Sequence, residues 1–168
     1  MDRTDVGRPA APAAATKTIR VYSVAEGQLF SSAKVNSCPA EWRKQLTPFQ
    51  YQVLREAGTE APLENRYYNH KQVGIYRCAG CRLALFSSSD KYHSETGWPS
   101  FTTPVAGENV RRTNGDRQTD LPSEVVCARC NGHLGHVFAD GPPPTGLRDC
   151  INSAALDFVA DETTHSKP

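Results

Sequence analysis

The chain predicts a mainly β domain with one or two helices near its N-terminus, and three observations carry that prediction. From Val73 onward, short apolar or alternating runs are interrupted by turn residues every few positions. Two Cys-x-x-Cys pairs, Cys78/Cys81 and Cys127/Cys130, sit between such runs, as knuckles joining strands do. A strong helix start occurs at Thr47. At 168 residues the chain suits one domain with tails: a flexible segment over 1–36, a domain over 37–160 and a polar tail over 161–168.

Met1 to about Thr16 contains Ala, Pro and Gly without a hydrophobic period and reads as a flexible tail. It has no apolar core of a signal peptide. Arg3, Arg8, Lys17 and Arg20 suit a mitochondrial presequence, whereas Asp2 and Asp5 oppose one, so the expected compartment is cytoplasmic or mitochondrial. Residues 19–24 alternate and predict a short edge strand. Residues 40–45 suit a short helix. Thr47-Pro48-Phe49-Gln50 then supplies a capping hydroxyl, Pro at the first helical position and the Gln of a capping box. Phe49, Val53, Leu54 and Ala57 follow at helical spacing, with Gly58 as the expected left-handed stop.

Residues 59–70 read as a polar connecting loop. Gly74 to Arg77 and Leu83 to Phe86 flank the first knuckle, 87–94 reads as a polar loop, and Glu124 to Val126 enters the second knuckle. His133 to Phe138 leaves it, and the Pro-rich loop 140–146 leads into Gly146 to Leu156. As a strand, that last stretch projects Arg148, Cys150 and Asn152 to one side.

Nineteen basic and eighteen acidic residues are well mixed, giving a net charge of +1. That balance argues against a nucleic-acid or membrane-surface binder. No apolar run approaches the roughly 20 residues of a membrane helix. Six cysteines in a secreted chain would suggest a disulfide framework, but paired Cys-x-x-Cys motifs point to a metal and a reducing compartment. Four thiolates on two tight turns suit a closed tetrahedral zinc site that stabilises and does not catalyse. A redox dithiol or an iron site is the alternative use of such thiols.

Cys38 and Cys150 remain outside that set. A buried core thiol is the plain reading of Cys150, yet a cation and an amide on its own side suit an activated nucleophile. His133 and His136 read equally as an acid or base beside it or as satisfied core histidines. A strand places them on opposite faces, unless a turn at Gly135 brings both round. Trp98, beside Pro99 in a loop, reads as core packing or as a lid on a small ligand.

Three blocks of the chain resemble the signature motifs of the B-type peptide-methionine (R)-S-oxide reductases, the MsrB family. They are Glu95-Thr96-Gly97-Trp98-Pro99-Ser100-Phe101, the stretch from Cys127 to Phe138, and Gly146-Leu147-Arg148-Asp149-Cys150-Ile151-Asn152-Ser153-Ala154. Residues 42–48 and 55–60 resemble the family's N-terminal helix region, and the likeness runs from about Glu41 to Val159. The resemblance implies two antiparallel sheets in a zinc-bearing, β-tent-like domain, and reduction of the R epimer of methionine sulfoxide. It makes Cys150 the nucleophile, with His133, His136 and Asn152 organising proton delivery, and zinc on Cys78, Cys81, Cys127 and Cys130. Trp98 is implied as the wall against the substrate methyl, with Arg148 and Phe138 as further substrate-binding residues. The implied partners are oxidised-methionine peptides or proteins and thioredoxin as reductant, acting on a monomer without an organic cofactor.

Two positions depart from the family pattern. Thr96 stands where many members carry the resolving cysteine, which leaves Cys38 or an external thiol for that step. Asp149 replaces an aromatic residue, and a carboxylate beside Cys150 is expected to raise the thiol pKa unless Arg148 or Arg129 neutralises it. The competing function is a non-catalytic zinc module on the same scaffold, of a chaperone or exchange-factor kind, which has no need of Cys150 or the histidines. A zinc-ribbon nucleic-acid binder is disfavoured by the charge balance.

Overall fold

The computed structural model of the chain describes residues 17–63, 65–113 and 123–161. The tail expected over Met1 to Thr16 lies outside the described residues, as does all of the polar tail except Asp161. Within the segment 1–36, the expected strand is β1 (Thr18–Ser23), and it pairs with an unexpected second strand, β2 (Gln28–Ala33). Val21 on β1 is fully buried, and the Asn109 side chain clamps the hairpin to the body of the protein. Asn109 accepts the Tyr22 N–H at 2.7 Å and donates to the carbonyls of Tyr22 and Ala84 at 3.0 and 2.8 Å.

Both expected helices are present. In α1 (Pro39–Gln45), Cys38 is the N-cap, Glu41 accepts the Cys38 N–H at 2.9 Å, and Trp42 is buried. In α2 (Pro48–Glu56), Thr47 and Gln50 form the reciprocal capping box at 3.2 and 3.1 Å. Two details differ from expectation. The left-handed cap is Ala57 (φ 54°), with Gly58 donating its N–H to the Gln52 carbonyl, and Phe49 is half exposed. The buried residues of α2 are Val53 and Leu54, with Tyr51 partly buried, while Phe49 lines an open cleft with Glu60, Asn65 and Ser153.

The two antiparallel sheets implied by the resemblance have six and three strands, with the β1–β2 ribbon as a third, smaller sheet. The three-stranded sheet has β3 (Gly74–Cys78) between β4 (Ala84–Ser87) and the last strand, β11 (Leu156–Ala160). The six-stranded sheet runs β5 (Lys91–Tyr92), β6 (Ser100–Phe101), β10 (Arg148–Ile151), β9 (His133–Phe138), β8 (Ser123–Cys127) and β7 (Val110–Arg112). The polar stretch 87–94 is thus not wholly loop, since it contains β5. Aromatic rings join the sheets: Phe86 of β4 stacks on Phe101 of β6 at 4.4 Å, and Tyr76 of β3 meets Phe101 edge-on at 5.2 Å. This arrangement leaves the opposite face of β10 and β9 free to carry polar side chains.

Candidate active site and metal site

The metal site is built by two turns of one design. Each Cys-x-x-Cys is followed by a residue in the left-handed region, Arg82 (φ 67°) and Asn131 (φ 55°). Each also closes with matching backbone bonds, Arg82 N–H to Cys78 and Asn131 N–H to Cys127, at 2.8 and 2.9 Å. The four sulfurs lie within 4.8 Å of one another, with Cys78 and Cys130 at 3.6 Å and Cys81 and Cys127 at 3.5 Å. A tetrahedron of thiolates about zinc has edges of about 3.8 Å, so the buried set fits a structural zinc ion. Leu54 of α2 packs over both turns, beside Gly80 and Gly132, and Arg55 donates to the Cys130 carbonyl at 2.9 Å.

The second site follows from strand register. Cys150 on β10 is opposite Ser100 of β6 and His136 of β9, and His136 is opposite Glu124 of β8. Directly paired residues share a face, so these four side chains form one row across the sheet. Flat pairing would send His133 to the other face. A β-bulge prevents this: Val125 pairs with Gly135 but Val126 pairs with His133, leaving Leu134 as the extra residue. The bulge, and not a turn at Gly135, brings the two imidazoles together, with ring centres 5.2 Å apart. Gly135 serves a different purpose, since a Cβ there would lie 2.0 Å from the Cys150 carbonyl oxygen. Nδ1 of the buried His133 is 2.7 Å from Glu124 Oε1, which fixes the ring orientation.

A cavity of about 120 Å³ opens beside the thiol, lined by Thr59, Trp98, His136, Phe138, Cys150 and Asn152. Gly97 (φ 92°) turns the Trp98 loop where a side chain would strike Pro62. The Trp98 indole N–H donates to the Glu60 carbonyl at 3.1 Å. Glu60 is itself buried; its carboxylate accepts the N–H groups of Ser153 and Ala154 at 2.6 and 2.9 Å. Burial raises the Glu60 pKa, and those two donors oppose the rise. The Asn152 amide accepts the Glu60 N–H at 3.0 Å and donates to the Leu134 carbonyl at 3.0 Å. Asn152 therefore locks the wall of the cavity to the bulge.

Arg148 pairs bidentately with Asp140, both contacts at 2.9 Å, and lies 4.5 Å above the Phe138 ring. Its third nitrogen, Nη1, has no oxygen or nitrogen partner among the described residues. Burial pushes the Cys150 thiol up, while the Arg148 guanidinium and the Thr96 hydroxyl pull it down. His136 is lowered by burial and by the neighbouring His133.

Asp149 corrects an expectation. It points away from Cys150 into the sheet interface, fully buried, and its partner is neither Arg148 nor Arg129. Arg112 of β7 holds both its oxygens, at 3.2 and 2.7 Å. The carboxylate acting on Cys150 is Asp140, a minor influence beside burial. Cys38 is exposed at the start of α1 and is not part of the cavity lining. Glu60, Glu124 and Asp140 escaped the sequence reading because their partners Ser153, His133 and Arg148 lie eight or more residues away. The alternation of β8 with β9 was the available clue to Glu124.

The SelR domain family model matches residues 46–160. The peptide methionine sulfoxide reductase MsrB of Thiobacillus denitrificans is 53% identical over 119 residues, covering 71% of this chain and 90% of that protein. The MsrB of Agrobacterium fabrum is 49% identical over 128 residues, 76% of this chain and 95% of its own length. That of Methanosarcina mazei is 48% identical over 131 residues, covering 78% and 94%. With the thiol, the paired imidazoles and the thiolate tetrad all in place, the chain belongs to the SelR-domain, or MsrB, family of peptide methionine sulfoxide reductases.

Proposed function

We propose that the chain reduces the R epimer of methionine sulfoxide, free or in polypeptides, with Cys150 as nucleophile. The observation that carries this reading is the row Ser100, Cys150, His136 and Glu124 beside a cavity walled by Trp98 and Phe138. The indole and phenyl rings suit a methyl-bearing sulfur through dispersion and sulfur–aromatic contacts.

The Cys150 thiolate attacks the sulfoxide sulfur, and the sulfoxide oxygen takes up a proton as its charge grows. His136 lines the cavity, and His133, oriented by Glu124, stands behind it; the pair delivers that proton directly or through water. The substrate S–O bond breaks as oxygen passes to Cys150. The substrate sulfur gains two electrons and leaves as a thioether, and Cys150 becomes a sulfenic acid. A second thiol then condenses with it, releasing water and forming a disulfide that the thioredoxin dithiol reduces by exchange. Arg148, neutralised on one edge by Asp140, offers its free edge to the thiolate. Zinc held by Cys78, Cys81, Cys127 and Cys130 supplies stability to the two turns and takes no step in the reaction.

Consumption of NADPH through thioredoxin reductase and thioredoxin, with separate R and S epimers of a blocked methionine sulfoxide, tests the reading. The R epimer is turned over, the S epimer is not, and Cys150→Ser is inactive. Turnover of the S epimer alone, or activity surviving in Cys150→Ser, would overturn it. The second thiol is Cys38 or an external one, and Cys38→Ala separates them. Loss of thioredoxin-dependent turnover assigns Cys38, and full turnover assigns the external thiol.

A further inference from the structure

At the edge of the six-stranded sheet, away from the tetrad, β5 and the loop before β3 enclose a cleft of about 540 Å³. Its lining includes Tyr68, Lys71, Ser88, Lys91, Tyr92 and His93. Ligand cavities for small molecules fall in the range of about 300–1,000 Å³. Lys91 is half buried, and its ammonium makes one hydrogen bond, to the Tyr68 carbonyl at 2.7 Å. Two of its three N–H groups take no acceptor among the described residues. Neither Lys71 nor Lys91 forms an ion pair there.

Among the described residues, no acid lines the cleft. Asp90, next to Lys91, and Asp161, whose N–H donates to the Val73 carbonyl, are both outside that lining. Placing two ammonium groups near each other in a partly dry cleft is unfavourable unless an anion joins them. Burial and the nearby Lys71 charge accordingly push the Lys91 pKa down. Ser88 Oγ accepts the Gly74 N–H at 3.0 Å, which leaves its own O–H free to donate. The Tyr68 and His93 rings, with centres 5.2 Å apart, wall the same space.

We infer that this cleft binds a phosphate monoester carried on an aromatic body. Lysine ammonium groups act as point charges on a tetrahedral oxyanion, whereas a carboxylate is better met by a planar guanidinium fork. Three acceptor oxygens match two ammonium groups and one hydroxyl. The Tyr68 and His93 rings supply stacking surface for the rest of the ligand. The site is separate from the sulfoxide cavity, with which it shares no lining residue.

Calorimetric titration of the zinc-loaded full chain with phenyl phosphate and with inorganic phosphate, at constant ionic strength, tests this. Phenyl phosphate binds saturably at one site and more tightly than inorganic phosphate. Lys91→Met weakens it at least about tenfold, the loss of one charge-assisted contact. Lys71→Gln, an exposed change that leaves the fold intact, weakens it several-fold, and Lys17→Gln, outside the cleft lining, leaves it unchanged. Absence of saturable binding would overturn the inference, as would equal weakening in Lys71→Gln and Lys17→Gln. Equal affinity for the two phosphates would overturn its aromatic part.

Discussion

The protein holds sulfur in two contrasting environments. Cys78, Cys81, Cys127 and Cys130 face one another at 3.5–3.6 Å across two matched turns, closed off by Leu54 and Trp42. Cys150 stands alone in a small cavity, beside the Arg148 guanidinium and the His136 imidazole, with His133 behind the latter. The difference teaches that proximity decides what a thiol does. Four thiols together make a closed ligand set, in which every sulfur is used for stability. One thiol beside a fixed cation keeps its lone pairs for a substrate.

Exchanging the two classes breaks the comparison most sharply. On the proposed nucleophilic role, Cys150→Ser should lower turnover at least about a thousandfold, with the melting temperature unchanged. Cys127→Ser should lower the melting temperature by more than about 10 °C and release zinc, because one ligand of a folding-linked ion is lost. Thermal melts, zinc content and turnover on both variants check the crossing.

Arg148→Met is next in size, at about a hundredfold in kcat/KM near neutrality. Burial already holds the Cys150 thiol above its ordinary value, and Arg148 opposes that rise. Removing the cation raises the thiol further, so less thiolate is present at any given pH. The ascending limb of the pH–rate profile should move to higher pH, with the deficit shrinking in alkali.

The motif that fits a metal and the motifs proposed to react were legible from the sequence because their information is local. Two Cys-x-x-Cys turns, the His-x-x-His stretch and Cys150 between Arg148 and Asn152 each lie within a few residues. What was not legible depends on register. The bulge at Leu134 that unites His133 with His136 exists only because β8 and β9 pair with an offset. Glu60 looked like part of a polar loop, yet the fold buries it against Ser153 and Ala154, more than ninety residues away. Asp149 looked like a threat to its neighbour, but the strand pleat sends it to the other face, to Arg112. Ala57 took the left-handed cap expected of Gly58, since capping position follows where the last helical hydrogen bond falls.

Asp149 gives a sharper form of the comparison, because charge on the far side of β10 should govern stability and spare the thiol. Arg112→Met strands a buried carboxylate and should cost about 2–3 kcal/mol, discounted for the partly exposed arginine. Asp149→Asn should cost less. Burial raises the folded Asp149 pKa above its unfolded value. The folded state thus binds that proton more tightly, and stability contributed by this group is full below the unfolded pKa and falls as pH rises through the folded one. In Arg112→Met the folded pKa climbs further, so the deficit relative to wild type should shrink on acidification. Denaturant melts across pH measure it.

The smallest effect is at the helix covering the tetrad. Thr47→Ala removes the capping hydroxyl of α2 and should cost about 1 kcal/mol, with kcat/KM unaltered.

Trapping with a dimedone-type reagent after a single turnover probes the separation of the two sulfur environments directly. One equivalent of R-sulfoxide should place one sulfenic-acid adduct on Cys150, with zinc fully retained. An adduct on Cys38 or on any tetrad cysteine, or release of zinc in step with thioether formation, would contradict the assignment.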